Sequence, residues 1–391
     1  MDNKKKIAIV SNTMCVGGVE IALIEMLKAF DYQQYQITLY LREPGGEFFA
    51  KLDHRIEVRY WGQTDSRERL LRQLKSGHWL RATKGLMGRI YARQCAQDWA
   101  RNEYTAVKSL GVIDGEYYDG IIAYHGATPG VLASALYGLK GGRRIAWIHG
   151  KDSFPCGKQG FWANQYCKFD KIICVSLDTQ DRFVGQYPAT KEKTCVCYNL
   201  LDTDRVRQLS LEAMACDLKK PALVTVGRLA QVKGQKMIPS AVRQLSDAGY
   251  DIRWYLVGDG ELRCELEEEI IRFGVQDRVI LLGMKENPYP YIKNCDIYVQ
   301  PSFSEGYCTT TVEAKILQKP IVTTDAPGMR EQFVSGENGL IVDAMTPEAL
   351  AGGIATLLDH PEMREKFVGN LKKESFDNSK ELQKLYDFIE N

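Results

Sequence analysis

The sequence predicts an α/β protein built from two doubly wound parallel-sheet domains, and two observations carry that prediction. Ten short apolar stretches alternate with helical ones from end to end, and they fall into two series of five. Each stretch is almost continuously apolar, which marks strands covered on both faces, as in βαβ units. At 391 residues the chain is too long for one core, so one sheet per series is expected. Apolar residues make up 45% and charged residues 26%, an ordinary globular balance. With 51 basic and 50 acidic residues, no overall charge points to nucleic acid.

The first series opens with "KIAIVS" (6–11), so the charged start runs into a strand and does not read as a signal peptide. "SNTMCVGGVE" (11–20) comes after it, with Gly17 and Gly18 ahead of a helix. A glycine pair there either gives an anion access to the helix amides or serves a tight turn. "QITLYL" (36–41) comes next, and then the pattern breaks. Residues 66–108 hold ten basic and three acidic residues interleaved with Leu70, Leu74, Trp79, Leu80, Leu86 and Ile90. This basic amphipathic segment is a helical face packed on its own domain, an interfacial helix on an anionic membrane surface, or a surface for another anionic partner. "DGIIAYH" (119–125) and "RRIAWIHG" (143–150) each end in a histidine beside a glycine, and on residues alone His125 and His149 are equivalent. "DKIICVS" (170–176) completes the series.

Eleven cysteines without paired spacing read as reduced thiols of a cytoplasmic protein. Cys195 and Cys197 would share a strand face, but no second pair stands at ligand spacing, so no metal site is expected. No apolar run reaches the roughly 18 residues of a membrane span. The seam falls near "YNLLDTDRV" (198–206), giving domains 1–198 and 199–375, with residues 376–391 as a final helical segment.

The second series is "PALVTVGR" (221–228), "IRWYLVGDG" (252–260), "DRVILLG" (277–283), "CDIYVQPS" (295–302) and "KPIVTTDAPG" (319–328). Ligands of open α/β sheets sit at the carboxyl ends of strands, so the residues just past each strand are informative. Gly227, Arg228 and Lys233 stand after the first, two cations suited to a diphosphate. Gly258 stands after the second, and Met284 after the third, where Met284 and Lys285 are placed to neighbour a base. After the fourth comes "SEGYCTTTVEA" (304–314), with Glu305 in a loop and Gly306, Cys308, Thr309 and Thr310 leading into a helix that carries Glu313. Were the segment fully helical, about 12 Å would separate the two carboxylates. A glycosidase pair needs less than about 10 Å. A nucleotide-sugar fits better: sugar hydroxyls at Glu305, diphosphate at the helix amides, ribose at Glu313.

Glu305-x7-Glu313, Arg228-x4-Lys233, the Gly17-Gly18 loop and "WIHG" around His149 together resemble the retaining glycosyltransferases of family 4. That resemblance implies the GT-B fold, two Rossmann-like domains facing across a cleft, with the last helix crossing back to the first domain. It implies that Glu305 touches the donor sugar and Glu313 the ribose. Arg228 and Lys233, with Gly17 and Gly18 approaching, would serve the donor diphosphate, and His149 the acceptor side. Asn199 and Asp202 match the interdomain connection. The catalytic set it implies is Glu305, His149, Arg228 and Lys233, with no metal or other cofactor. The expected partners are a nucleotide-sugar donor, UDP-linked by preference, and a saccharide acceptor, lipid-linked if the basic segment meets membrane at the inner face. A 2-epimerase on the same fold and a non-catalytic nucleotide-sugar-binding subunit are the alternatives. One departure stands out: Tyr307, Cys308 and three threonines fill the glutamate interval, where many relatives are more aliphatic.

Overall fold

The computed structural model describes residues 4–15, 17–62, 99–150, 159–376 and 379–390. Most of the basic segment 66–108 lies outside them. Its described end, the helix Trp99–Ser109, packs on its own domain. There Arg101 lies over the Phe161 ring and Lys108 over the Tyr137 ring, while Glu103 pairs with Arg42 at 3.1 Å.

The chain divides into two units, residues Met1–Leu200 with Ser379–Asn391, and Leu201–Asn378. In the first, seven strands form one parallel sheet: β1 Lys5–Val10, β2 Tyr35–Leu41, β3 Glu57–Tyr60, β4 Tyr117–Ala123, β5 Lys140–Ile148, β6 Lys171–Cys174 and β7 Thr194–Val196. Their order is β3-β2-β1-β4-β5-β6-β7. Ile7 to Val10 and Ile121 to Ala123 are fully enclosed, because helices cover both faces of the central strands. The helix Ser379–Glu390 belongs to this unit. Tyr386 stacks on Tyr35 at 4.8 Å, and the Tyr35 hydroxyl donates to Glu390 at 2.7 Å.

The second sheet is also parallel: β8 Ala222–Val226, β9 Arg253–Val257, β10 Val279–Gly283, β11 Ile297–Gln300, β12 Ile321–Thr324 and β13 Leu340–Val342, in the order β10-β9-β8-β11-β12-β13. Trp254 is fully buried on one face and donates its indole N–H to Thr225 Oγ1 at 3.0 Å. Both sheets reverse their winding beside the first strand, between β1 and β4 and between β8 and β11. Those two switch points are where such sheets open a crevice for ligands. No helix among the described residues is long and apolar enough to cross a membrane.

Ten strands stand where the sequence predicts them, with adjusted ends: 319–328 shrinks to Ile321–Thr324, and 143–150 begins earlier, at Lys140. Three more, β3, β7 and β13, are edge strands that the apolar pattern does not mark. Each described cysteine is a free thiol. Burial raises the Cys195 thiol to about 11, and Cys197 donates to the Glu381 carbonyl at 3.4 Å.

Candidate functional site

At the second switch point the loop after β8 lies against the loop after β11. The Val232 carbonyl accepts from the Phe303 amide at 2.8 Å. Gly234 makes the approach feasible: it has φ +67°, and a Cβ there would stand 1.9 Å from the Pro301 carbonyl oxygen. This stitching delivers Lys233 to Glu305, with Nζ 2.8 and 2.9 Å from the two carboxylate oxygens. The Glu305 side chain is only 8% exposed. Burial presses the Lys233 ammonium toward neutrality, but the adjoining carboxylate outweighs it and holds the lysine pKa above its ordinary value. Ser302 donates to Glu305 Oε1 at 2.6 Å.

Arg228 is exposed on the same loop, and its carbonyl accepts from the buried Gln235 amide at 2.9 Å. Among the described residues its guanidinium forms no ion pair. The helix Thr309–Ile316 comes after Glu305, with Cys308 at its N-cap and no side-chain cap bond, so its first amides point out of the helix end. Burial raises the Cys308 thiol to about 11, so it stays neutral there. Thr310 Oγ1 donates to Gln300 at 3.2 Å. Glu313 is 4% exposed and accepts from the Tyr289 hydroxyl at 3.3 Å. Gly258 follows β9 at φ +146°, where a Cβ would fall 2.0 Å from the Gly227 carbonyl. Met284 stands after β10 on the same edge, 56% exposed. Gly227, Arg228, Lys233, Gly258, Met284, Glu305, Gly306, Cys308, Thr309, Thr310 and Glu313 therefore all stand along one carboxyl edge. Gln300, Ser302, Gln235 and Tyr289 join them unannounced by the sequence. A polar Gln300 just before Pro301 in an otherwise apolar strand is the one signal that could have found them.

The first switch point holds the other candidates. Gly17 is the N-cap of the helix Gly18–Ala29. The space beside it is filled rather than open, since a Cβ there would lie 2.3 Å from Glu20 Oε2, whereas Gly18 meets nothing within 4 Å. Glu20 reaches His125 Nε2 at 3.3 Å, and Ser11 Oγ lies 2.7 Å from His125 Nδ1. His149 follows β5 and lies against Tyr124, with ring centroids 4.5 Å apart, and its Nε2 is buried without a protein partner among the described residues. Burial, helped by the nearby His125, lowers its pKa to about 3, so it acts as a neutral imidazole. Asp202, matched to the interdomain connection, has a local task as N-cap of the helix Thr203–Leu209, accepting from the Arg205 amide at 2.9 Å. The Asn199 side-chain oxygen is buried without a protein partner among the described residues.

The depressed His149 pKa sets a stability profile. The unfolded chain takes up this proton near pH 6.5 and the folded chain only near pH 3. Between those values the unfolded state holds more protons, so stability falls as pH is lowered. About 3 kcal/mol is expected to be lost by pH 4. In urea titrations from pH 7 to pH 4, His149→Asn should flatten that slope. An unchanged slope would show that His149 does not cause it.

Residues 208–374 match the family model described as glycosyl transferases group 1. The match falls within the second unit. Among curated relatives, one from Campylobacter jejuni is N-acetylgalactosamine-N,N'-diacetylbacillosaminyl-diphospho-undecaprenol 4-alpha-N-acetylgalactosaminyltransferase. It is 28% identical over 208 residues, 53% of this chain and 56% of its own length. Alpha-D-kanosaminyltransferase of Streptomyces kanamyceticus is 28% identical over 179 residues, 44% of this chain and 46% of its own. The chain thus spans about half the length of these two relatives. Among solved structures, Anabaena HepE in complex with UDP and glucose superposes with a TM-score of 0.70 at 21% identity, covering 98% of this chain and 99% of that one. TarM superposes with a TM-score of 0.72 at 12% identity, covering 99% of both chains. These likenesses show the fold, which is GT-B.

Proposed function

We propose that this chain is a retaining glycosyltransferase that moves a sugar from a nucleoside-diphosphate donor, UDP-linked by preference, to a hydroxyl acceptor. The observation that carries the reading is the Lys233–Glu305 pair at the second switch point, with Arg228 exposed beside it and a helix N-terminus directly after it. Departure of the nucleoside diphosphate leaves negative charge where two cations and helix amides converge, the electrostatic stabilisation that dominates many such reactions. Glu305 would accept hydrogen bonds from the donor sugar, and Glu313 from ribose. A donor phosphate oxygen would take the acceptor proton on the same face, giving retention without an enzymic base. With cations of its own at the diphosphate, the chain is proposed to work without a metal, and its rate should be unchanged in EDTA. An EDTA-sensitive rate restored by a divalent cation would overturn that part.

The acceptor we propose is a lipid-linked saccharide in surface polysaccharide assembly, reached from the cytoplasmic face of the membrane. The names of the Campylobacter jejuni relative and of the Staphylococcus aureus capsular polysaccharide glycosyltransferase CapM support it, as does the basic composition of 66–108. One observation favours a second reading, a 2-epimerase: Glu20 and His125 pair a carboxylate with an imidazole at the first switch point. Deuterium uptake at C2 of the donor sugar in D2O would identify it.

A thermal-shift panel of UDP, GDP, ADP and their sugars tests the donor site. One nucleotide is expected to raise the Tm by several degrees, and Glu313→Ala to abolish the shift. If no nucleotide shifts the wild-type chain, both the transferase and the binding-subunit readings fall.

A further inference from the structure

We infer that Gln300 and Ser302 are positioning residues that hold Glu305 with one carboxylate oxygen turned toward the donor sugar. The inference rests on the reading of Glu305 as the sugar contact and adds the residues that aim it. Gln300 is 1% exposed and Ser302 fully enclosed, so neither meets a ligand directly. The orientation of the Gln300 amide is set by its neighbours. Its Oε1 accepts from the Tyr298 hydroxyl at 2.8 Å and from Thr310 Oγ1 at 3.2 Å, which leaves its NH2 group facing the other way. That group donates to Ser302 Oγ at 2.8 Å and lies 3.4 Å from Glu305 Oε1. Ser302 has a single hydroxyl proton, and it goes to Glu305 Oε1 at 2.6 Å. Oε1 is therefore occupied by Ser302, Gln300 and Lys233, while among the described residues Oε2 receives only Lys233, at 2.9 Å. Oε2 keeps the lone pair that a sugar hydroxyl needs.

The same chain of bonds explains the unusual residues between the two glutamates. Thr310 is in the first turn of the helix, at the proposed diphosphate seat, and its hydroxyl is one of the two donors that fix Gln300. Gln300 thus joins the phosphate end of the site to the sugar end. A buried amide in this position is satisfied on both sides, so the network orients without leaving an unpaired group.

Calorimetry on the full chain with UDP-glucose against UDP, and GDP-mannose against GDP, tests the inference. The quantity read is how much tighter the sugar nucleotide binds than the bare nucleotide. Ser302→Ala and Gln300→Leu are expected to reduce that ratio about tenfold, the worth of a lost charge-assisted bond, and to leave bare-nucleotide affinity within about twofold. Ser302→Thr keeps the hydroxyl and should restore the ratio, which covers the case in which Gln300→Leu fails to fold. Gln300→Glu should make the ratio pH-dependent, near wild type at pH 5, where a protonated acid still donates, and lost at pH 8. A role in stability alone would not produce that profile. Ser302→Ala with an unchanged ratio, beside a Glu305→Ala control that abolishes it, would overturn the positioning role. An unchanged ratio in Glu305→Ala would overturn the reading of Glu305 itself, and no binding of either nucleotide by the wild-type chain would overturn both.

Discussion

Lys233→Met is expected to abolish transfer and to destabilise the second domain, while Lys233→Met/Glu305→Leu recovers most of the stability and none of the activity. The single variant strands a carboxylate that is 8% exposed and has lost the partner that contacts both of its oxygens. Removing one member of a fully buried pair costs about 3–5 kcal/mol. The Lys233 side chain is 26% exposed, so solvent screening brings the expected cost nearer to about 2–3 kcal/mol. For a domain of this size that lowers the Tm by roughly 5–10 °C. Replacing both partners by apolar groups removes the stranded charge, and such double replacements are often close to neutral. Activity should show no such recovery, because the role proposed for Lys233 is to serve the leaving diphosphate. A loss of about a thousandfold or more in transfer rate is expected in both variants. Thermal melts and release of nucleoside diphosphate, read on wild type, both single variants and the double variant, decide it. A double variant no more stable than the single one would show that the pair is not a unit. A Lys233→Met enzyme within tenfold of wild type would remove the lysine from the chemistry.

The central strands of both sheets are legible in the sequence because burial on two faces writes itself as an unbroken apolar run. "ALVTV" in β8 and "IAIV" in β1 have almost no polar interruption. Three of the described edge strands carry no such mark, whereas the fourth, β10, is the apolar run "VILLG". β3 is "EVRY", half-exposed and alternating, and β7 and β13 have three residues each, too few for any period to show. The site is legible in its charged residues and illegible in the groups that support them. Arg228, Lys233 and Glu305 stand out by type just past strand ends, and Glu313 in the helix that follows. Ser302 and Gln300 stand three and five residues before Glu305 but carry no charge to mark them, and Tyr289 meets Glu313 through side-chain reach from another element. By sequence the threonines are a disturbance of an aliphatic pocket, yet Thr311 is buried and bonded to the Cys308 carbonyl at 2.7 Å and to Gln332 at 2.6 Å. Gln332 lies 21 positions from Thr311, and no local pattern could pair them. Gly17 reads either as access for an anion or as a tight turn, and the structure sets the Glu20 carboxylate beside it, three residues on and within the first helical turn.

Arg228→Ala should separate function from stability in the opposite sense to Lys233→Met. The guanidinium is exposed and forms no ion pair among the described residues, so its loss leaves nothing stranded. The Tm is expected to stay within about 1 °C, as for surface substitutions in general. In the proposed mechanism the fork supplies charge where a diphosphate departs, and such charge is worth most when the leaving group is fully developed. The expected loss is therefore larger in kcat/KM, about a hundredfold to a thousandfold, than in ground-state affinity for the nucleoside diphosphate, about tenfold. Arg228→Lys restores the charge without the two-pronged geometry and should recover only part of the rate. Steady-state kinetics beside calorimetry with the nucleoside diphosphate measure the two losses separately. Equal losses would mean that Arg228 grips bound donor and departing group alike, leaving Lys233 and the helix amides to favour the transition state. A wild-type rate in Arg228→Ala would mean that the exposed guanidinium faces solvent throughout the cycle, and that the diphosphate lies along the helix N-terminus without it.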